Sequence, residues 1–250
     1  MNTAEFEPNP SLLVEQHKAI TLLTLDRTAR ANALDAALVE ALHAGVDAAQ
    51  VNGSRLLVLA ANGKNFSAGF DMSEINGQTE GDLLLRMVRI EQLLQRIYHA
   101  PCSSLAFAHG RNFGAGADLF LAASTRVCAP DATFRMPGLR FGLQLGTRRL
   151  AARIGARAAR MMLETSQTID AERAVALGFA TTIAPRETWP DHIAQTLEGA
   201  KILAPDASRR LAEATIADTR AIDMADLVAS ASASDFKARM QAYRDVRAKT

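Results

Sequence analysis

Short apolar runs alternate with helical patterns in the first half of the chain, and this alternation is the feature that most constrains the fold. The segments Arg55–Ala60 and Ser103–Ala108 have the length and composition of strands that are buried on both faces of a sheet. Apolar residues recur at helical spacing in Leu34–Ala49, before the first of these strands, and in Leu83–Tyr98, between the two. The pattern predicts an α/β fold in which the loops that follow parallel strands gather at one end of the sheet. We expect the functional residues at that end.

Beyond Thr147 the pattern is almost entirely helical, interrupted by one short strand predicted at Thr181–Ile183. We assign residues 10–200 to the core and residues 201–250 to a C-terminal helical layer of the same domain. The helices of this layer carry apolar stripes that must be buried against the core or against another subunit. The sequence therefore predicts one domain with an assembly layer rather than two independent domains.

Charge and composition argue against several functional classes. With 28 Lys+Arg against 27 Asp+Glu the net charge is +1, which creates no field that would attract a nucleic acid. The longest apolar runs are far shorter than the roughly 20 residues that span a bilayer, so no membrane association is expected. The acidic, polar N-terminus does not resemble a signal peptide, and we expect a cytoplasmic protein. Cys102 and Cys128 fit reduced thiols, and no His/Cys/Asp cluster has the spacing of a metal site.

Two loops rich in small residues follow the predicted strands and carry the functional prediction. The first is Asn65–Asp71 and the second is His109–Leu119. Small side chains let the backbone approach a ligand closely, and the second loop opens a helix whose first N–H groups have no acceptor within the helix. Two such donors that converge on one oxygen would stabilise an enolate or a tetrahedral oxyanion. Glycines after strands are also ordinary turn formers, so spacing alone leaves both interpretations open.

Several ordered segments together carry a family resemblance. They are Arg27–Leu34, Phe66–Asp71, His109–Leu119, Phe134–Pro137, Gly146–Leu150 and Ala171–Phe179. Over roughly residues 10 to 250 the sequence resembles the crotonase (enoyl-CoA hydratase/isomerase) superfamily. The resemblance implies a crotonase-like spiral of ββα units with a C-terminal helical trimerisation region, assembled as a homotrimer or a dimer of trimers. It also implies an acyl-CoA thioester as substrate, so coenzyme A is part of the substrate and no separate cofactor is expected.

The resemblance also assigns binding positions. The backbone N–H groups of Phe70 and Ala115 would form the oxyanion hole, and Phe70 would also lie beside the coenzyme. Adenine and pantetheine would lie along Ser67, Ala68 and the start of the first helix. The candidates for the CoA phosphates are Arg27, Arg30, Lys237 and Arg247. Each of these basic residues, taken alone, is also compatible with a solvated surface charge.

At the acid positions the sequence departs from the hydratase pattern that the resemblance implies, in which two glutamates carry the chemistry. Asp118 falls at the first glutamate position, whereas Gly138 falls at the second and Gly146 falls where other members carry an aspartate. Asp118 is therefore the candidate proton carrier, although an acid in a first helical turn can also serve only to stabilise the helix. Met136, Gly138 and Arg140 are predicted to line the substrate pocket. Arg140 would bind a substrate carboxylate, pair with Asp118 or face solvent.

The resemblance implies an acyl-CoA enzyme of enoyl-CoA hydratase/isomerase type, of the kind found in fatty acid metabolism. A single proton carrier suits a double-bond isomerase better than a two-acid hydratase, because one base can both remove and return the proton. Two alternatives remain open at this point. The first is a thioester hydrolase, C–C hydrolase or decarboxylase on the same scaffold, in which Arg140 holds a second substrate carboxylate. The second is a non-catalytic acyl-CoA-binding homologue, which the missing second acid allows.

Overall fold

The computed structural model describes residues 9 to 247 of the chain, with the side chains of residues 9 to 246. The strands are β1 (Leu12–His17), β2 (Ile20–Leu25), β3 (Leu56–Ala61), β4 (Ser103–Ala108), β5 (Arg111–Phe113), β6 (Thr125–Cys128), β7 (Thr133–Arg135), β8 (Ile169–Asp170) and β9 (Thr182–Ile183). Six of them form one sheet in the order β1-β2-β3-β4-β6-β9, in which only the β1–β2 hairpin is antiparallel. The second sheet has the order β5-β7-β8.

The helices follow and separate these strands, which makes the α/β prediction correct. They are α1 (Ala36–Val51), α2 (Glu80–Tyr98), α3 (Ala115–Ala122), α4 (Thr147–Ile154), α5 (Ala156–Thr165), α6 (Ala171–Leu177), α7 (Trp189–Ile202), α8 (Pro205–Thr215), α9 (Arg220–Ala231) and α10 (Phe236–Arg247). Strands β2, β3, β4 and β6 run parallel, so the loops after β3 and β4 leave the sheet at the same edge.

Two helix starts show how local sequence positions this edge. Asp35 caps α1, its Oδ1 accepting a hydrogen bond of 2.8 Å from the Leu38 N–H. Helix α1 therefore begins after Leu34, which the apolar spacing had placed inside the helix. Thr79 and Asp82 cap α2 reciprocally, each side chain accepting from the backbone N–H of the other.

The parallel strands are apolar throughout because both faces of the sheet are buried. Leu57 and Leu59 enter a large core cluster with residues of α1, α2 and α3. Leu56 and Val58 point the other way, into a smaller cluster that Trp189 of α7 covers. Strand residues alternate between faces, so each face of β3 needs apolar side chains.

The second sheet was not anticipated from the sequence. The sequence predicts a loop at the start of His109–Leu119, but Arg111–Phe113 is a strand that pairs in parallel with Thr133–Arg135. The latter also pairs antiparallel with Ile169–Asp170. Strands of two or three residues are too short to show an alternating pattern, so their pairing partners rather than their own sequence define them.

The C-terminal helices pack onto the core of their own chain. Leu227 and Ala231 of α9, and Phe236 and Met240 of α10, are buried in the same cluster as the sheet and α2. The division at residue 200 remains a prediction. Within the described part of the chain, no helix combines the length and apolar character that a membrane span requires.

Candidate active site

A narrow cavity lies where the loops after β3 and β4 meet. Its walls are mainly apolar, with Met72, Met87, Leu143, Leu145 and Leu163 among the lining residues. The predicted residues Ala68, Phe70, Ala115, Asp118, Met136 and Gly138 also line it. Tyr243 of α10 contributes to the wall, so the C-terminal layer takes part in closing this space.

The first loop is fixed by a short extended pairing with the residues before α1. Leu34 N donates to Gly69 O at 2.8 Å, and Asp71 N donates to Leu34 O at 3.1 Å. Between these two bonds lies Phe70, whose own backbone N–H has no acceptor among the described residues. Phe70 is also one of the residues that line the cavity.

Glycines bring the two loops into direct contact. Gly69 has φ of +87°, and a Cβ placed on it would lie 2.2 Å from Phe113 O and 3.3 Å from Ala115 N. A Cβ on Gly116 would lie 2.4 Å from Ser67 O. Only glycine permits these approaches, because any side chain would push the loops apart. The backbone of Phe70 is thereby held beside the start of α3.

The second loop turns sharply into α3. Gly114 has φ of +52°, and its N–H donates to Arg135 O at 2.8 Å. The helix begins at Ala115, and the N–H of Ala115 has no acceptor in residues 9 to 247. Phe70 and Ala115 thus line the same cavity, and the backbone N–H of each has no acceptor among the described residues.

Asp118 is the one charged residue among the described residues that line the cavity. It lies one turn into α3, is 2% exposed, and its Oδ1 has no hydrogen-bond partner among the described residues. Burial raises the pKa of Asp118 to about 8; Arg149 opposes this shift and Glu91 adds to it. Such a group exchanges a proton near neutral pH, which an ordinary surface aspartate does not do.

Sequence reasoning missed the two residues that face Asp118 from behind the cavity wall. Arg149 Nη2 lies 2.8 Å from Glu91 Oε2, and both side chains are almost fully buried. Glu91 carries a detectable sequence signal, since it lies between Met87 and Leu94 on the apolar face of α2. No pattern marks Arg149, which follows another arginine, Arg148, in the sequence.

The two glycines at the other acid positions differ in their surroundings. Gly146 has φ of +63°, and a Cβ placed on it would lie 2.3 Å from Asp118 Oδ1. A Cβ on Gly138 would lie 3.0 Å from Leu143 O. The Asp118 carboxyl therefore occupies the space that a side chain at position 146 would need.

Two of the four predicted phosphate ligands, Arg27 and Lys237, bind other groups of the protein. Arg27 forms ion pairs with Asp71 at 2.6 Å and with Asp35 at 3.0 Å, which argues against the expected phosphate contact. The Lys237 ammonium donates to the carbonyl oxygens of Asn76 and Gln78 and so ties α10 to the loop before α2. Arg30 is exposed and remains a candidate. The side chain of Arg247 lies outside the described residues.

The structure also locates three further residues that the sequence predicts for the site. The Ser67 hydroxyl donates to Asn32 O at 2.7 Å and is fully buried, so this side chain shapes the loop, and the coenzyme contact along Ser67 and Ala68 stays a prediction. Met136 is buried on the cavity wall, as expected. Arg140 is exposed and absent from the lining, whereas its neighbour Leu139 lines the cavity. The lining thus includes Leu139 and not Arg140 of the 3-10 turn Gly138–Phe141, so the pocket position predicted for Arg140 has no support from this cavity.

Several known proteins are similar to this chain in sequence, and one of them in a solved structure. The model of the enoyl-CoA hydratase/isomerase family matches residues 15 to 245. A Mycobacterium bovis protein assigned as an enoyl-CoA hydratase is 31% identical over 188 residues, covering 73% of this chain and 75% of that protein. The 2,3-dehydroadipyl-CoA hydratase of Escherichia coli is 30% identical over 189 residues, covering 74% of this chain and 73% of that protein. A crystal structure from Bordetella parapertussis, assigned as an enoyl-CoA hydratase/isomerase, is 48% identical with a TM-score of 0.93, covering 94% of this chain and 98% of that one.

Proposed function

The chain belongs to the enoyl-CoA hydratase/isomerase family of the crotonase superfamily, and we propose that it shifts a double bond in an enoyl-CoA thioester. The observation that carries this proposal is a single buried carboxyl, Asp118, beside two unpaired backbone N–H groups in one apolar cavity. The proposal supplies each of these groups with a role.

The backbone N–H groups of Phe70 and Ala115 would bind the thioester carbonyl oxygen. Removal of a proton from the adjacent α-carbon moves an electron pair onto this oxygen, and the two donors stabilise the resulting enolate. In measured cases one such donor contributes about 3–4 kcal/mol to the transition state. Ala115 is also the first residue of α3, so the positive end of the helix dipole acts in the same direction.

Asp118 would carry the proton. Its carboxylate takes a proton from the α-carbon of a β,γ-enoyl thioester, the double bond moves into conjugation, and the same carboxyl returns the proton to the γ-carbon. Atoms balance without water or a second acid. A base works best when its pKa lies near the working pH, and burial gives Asp118 such a pKa, about 8.

Hydration by two acids is less well supported. The second and third acid positions are Gly138 and Gly146, neither of which can transfer a proton. The tight approach of Asp118 to Gly146 leaves no room for a second carboxyl there. Asp118 would have to activate water and protonate the α-carbon alone.

The apolar walls favour an uncharged acyl group. No basic side chain among the described residues lines the cavity, and Arg140, which would have held a second carboxylate, lies outside it. The hydrolase and decarboxylase alternatives that relied on Arg140 therefore lose their support. A non-catalytic binder would have no use for a buried carboxyl of raised pKa, because a buried ionisable group destabilises the fold.

Two further features are proposed: the residues that bind the CoA phosphates and the oligomeric state. Arg30 and Arg247 remain the candidates for the CoA phosphates. The trimeric assembly is supported by the exposed apolar residues Ile202, Leu203 and Leu211 on and around α7 and α8. Light scattering of the purified protein tests the assembly.

The activity is tested with matched pairs of β,γ- and α,β-enoyl-CoA substrates of several chain lengths. We expect interconversion of the two isomers and slow or absent formation of 3-hydroxyacyl-CoA. Hydration as the faster reaction, or binding of CoA esters with no turnover of any of them, would contradict the proposal.

The role of the Ala115 N–H has a matched test. Proline is tolerated at the first position of a helix and lacks the N–H group, so Ala115→Pro removes one donor. We expect kcat/KM to fall about 10²–10³-fold. Ala156→Pro is the control, since Ala156 also begins a helix after a glycine, α5 after Gly155, but away from the cavity.

A further inference from the structure

Three ionisable side chains from three helices meet at the cavity wall. They are Asp118 of α3, Arg149 of α4 and Glu91 of α2. Arg149 and Glu91 form an ion pair of 2.8 Å, with side chains 3% and 1% exposed. Asp118 makes no ion pair within the described part of the chain.

The Asp118 carboxyl and the Arg149 guanidinium face each other across Gly146. A Cβ placed on Gly146 would lie 2.3 Å from Asp118 Oδ1 and 3.4 Å from Arg149 Nη2. The guanidinium is therefore a near neighbour of Asp118, and the same Nη2 is bound by Glu91 Oε2. Gln95 adds to this hold, donating from Nε2 to Glu91 Oε1 at 2.9 Å.

The charges of this cluster do not balance when both carboxyls are ionised. One guanidinium cancels one carboxylate, and the short Glu91–Arg149 contact assigns that carboxylate to Glu91. Ionising Asp118, which is only 2% exposed, then adds a net negative charge to a buried cluster. An uncompensated buried charge is strongly unfavourable, so the proton stays on Asp118 until the solution becomes alkaline.

We propose that Glu91 is a positioning residue for Asp118: by holding the Arg149 guanidinium, it denies Asp118 a counter-ion and keeps it a strong base. The need for a strong base rests on the proposed function, whereas the electrostatic relation between the three side chains does not. Asp118 alone would touch substrate, and Glu91 acts through Arg149.

Other charged groups around Asp118 are already engaged or point elsewhere. On α4, Arg148 pairs with Asp223 and Asp226, and Arg153 donates to the carbonyl oxygens of Leu121 and Ala123. Strand β4 carries no charged residue, and Arg111 of β5 is exposed. Across the cavity, the phenol of Tyr243 from α10 is the remaining titratable group of the described lining.

A purely structural ion pair would behave differently from a positioning pair. Loss of a structural pair lowers the stability of the fold and leaves the proton affinity of Asp118 unchanged. Under the proposal, Glu91→Gln keeps the size of the side chain but frees the guanidinium to act on Asp118. The Asp118 proton would then be released at a lower pH.

The test is a titration of the Asp118 carboxyl in the free protein by ¹³C NMR, which needs no substrate. We expect a midpoint near pH 8 in the wild type, as the pKa of about 8 requires, and a decrease of about 1–3 pH units in Glu91→Gln. Glu40→Gln is the control. It breaks the 2.6 Å ion pair between Glu40 of α1 and Arg89 of α2, the helix that also carries Glu91, and this pair lies away from Asp118. An unchanged Asp118 midpoint in folded Glu91→Gln would overturn the proposal.

A double variant covers the case in which Glu91→Gln does not fold. Glu91→Gln combined with Arg149→Met removes both charges, so Asp118 has neither a competitor nor a counter-ion. We expect its midpoint at or above that of the wild type, and a midpoint clearly below it would overturn the proposal.

Activity provides a separate readout. If the protein isomerises enoyl-CoA, the pH midpoint of kcat/KM should move with the NMR midpoint, and the plateau rate of Glu91→Gln should fall about tenfold because the base is weaker. If no substrate turns over but the NMR midpoint shifts, the proposed function fails and the role of Glu91 stands.

Discussion

Two arginines of this protein each lie beside two carboxyls, with opposite consequences. Arg27 reaches both of its neighbours, Asp35 and Asp71, at ion-pair distance. Arg149 reaches only Glu91 and leaves Asp118 without a partner. Both sets contact the elements that shape the cavity, yet the Arg27 set fixes a loop, whereas the Arg149 set leaves one carboxyl free to react.

The pKa shifts follow from this difference. Burial would raise the pKa of Asp71, but hydrogen bonds from Ser73 and Arg27 and the positive charge of Arg27 hold it below its usual value. Burial raises the pKa of Asp118, and nothing pairs with the carboxyl to reverse the shift. Whether a guanidinium reaches a carboxyl thus decides whether that carboxyl braces the fold or carries protons.

The largest effect is expected from removing the unpaired carboxyl. Asp118→Asn should lower kcat by about 10²-fold or more, because an amide cannot accept the substrate proton. Steady-state kinetics on the best enoyl-CoA substrate measure this loss. Asp35→Asn is the matched control on the Arg27 side, since asparagine also caps a helix, and its kcat should stay within about twofold of the wild type. An equal loss of kcat in Asp118→Asn and Asp35→Asn would show that the carboxyls beside Arg149 and those beside Arg27 do not differ in function.

Next comes a test of the space that Asp118 occupies. Gly146→Ala places a Cβ against Asp118 Oδ1 and also forces a non-glycine residue to φ of +63°. Gly155→Ala incurs the same type of backbone strain at φ of +81° with open space around the Cβ. We expect both to lose about 1–2 kcal/mol of stability and only Gly146→Ala to lose about tenfold or more in kcat. A similar kcat for both variants would show that Asp118 does not need its present position.

The two carboxyls should also affect stability with opposite signs. The Asp118 pKa is raised from the unfolded value near 4 to about 8, so its ionisation lowers stability progressively between those pH values. Relative to the wild type, Asp118→Asn should therefore gain roughly 5 kcal/mol of stability as the pH rises from about 4 to about 8, and this gain should vanish below about pH 4. Chemical denaturation across this range measures it, and a constant difference at all pH values would contradict the shift.

The stability contribution of Asp71 should depend on pH with the opposite sign. Its pKa is lowered, so its stabilising contribution is present above the unfolded value near 4 and is lost as the pH falls through the folded value. Asp71→Asn should destabilise the protein by about 1 kcal/mol at neutral pH, with the difference shrinking in acid. A loss that persists undiminished at low pH would point to packing instead of charge.

The smallest effect is expected at Arg140. Because its side chain is exposed and outside the cavity lining, Arg140→Ala should change kcat/KM by less than about twofold for any acyl group. A large loss confined to carboxylate-bearing acyl-CoA substrates would return Arg140 to the site.

Much of the architecture was predictable from local pattern. The strand Ser103–Ala108 has the predicted boundaries, and the chain beyond Thr147 is mostly helical as predicted, because apolar runs and helical spacing are local features of the sequence. Leu34 shows the limit: its spacing fits the stripe of α1, but the Asp35 cap excludes it from the helix and it pairs with Phe70. Strands β5, β7 and β8 were missed because only their pairing partners define them.

By itself, the sequence determined the small residues of the two loops, the acid on α3 and the glycines at the other acid positions. Those features depend on residue type and order along the chain. Only the tertiary structure decided which charges meet: Arg27 with Asp71, 44 residues apart, and Arg149 with Glu91, 58 residues apart. Electrostatic energy depends on distance and on exclusion of water, and both are set when helices pack. Asp118 differs from an ordinary helix-capping acid for that reason alone.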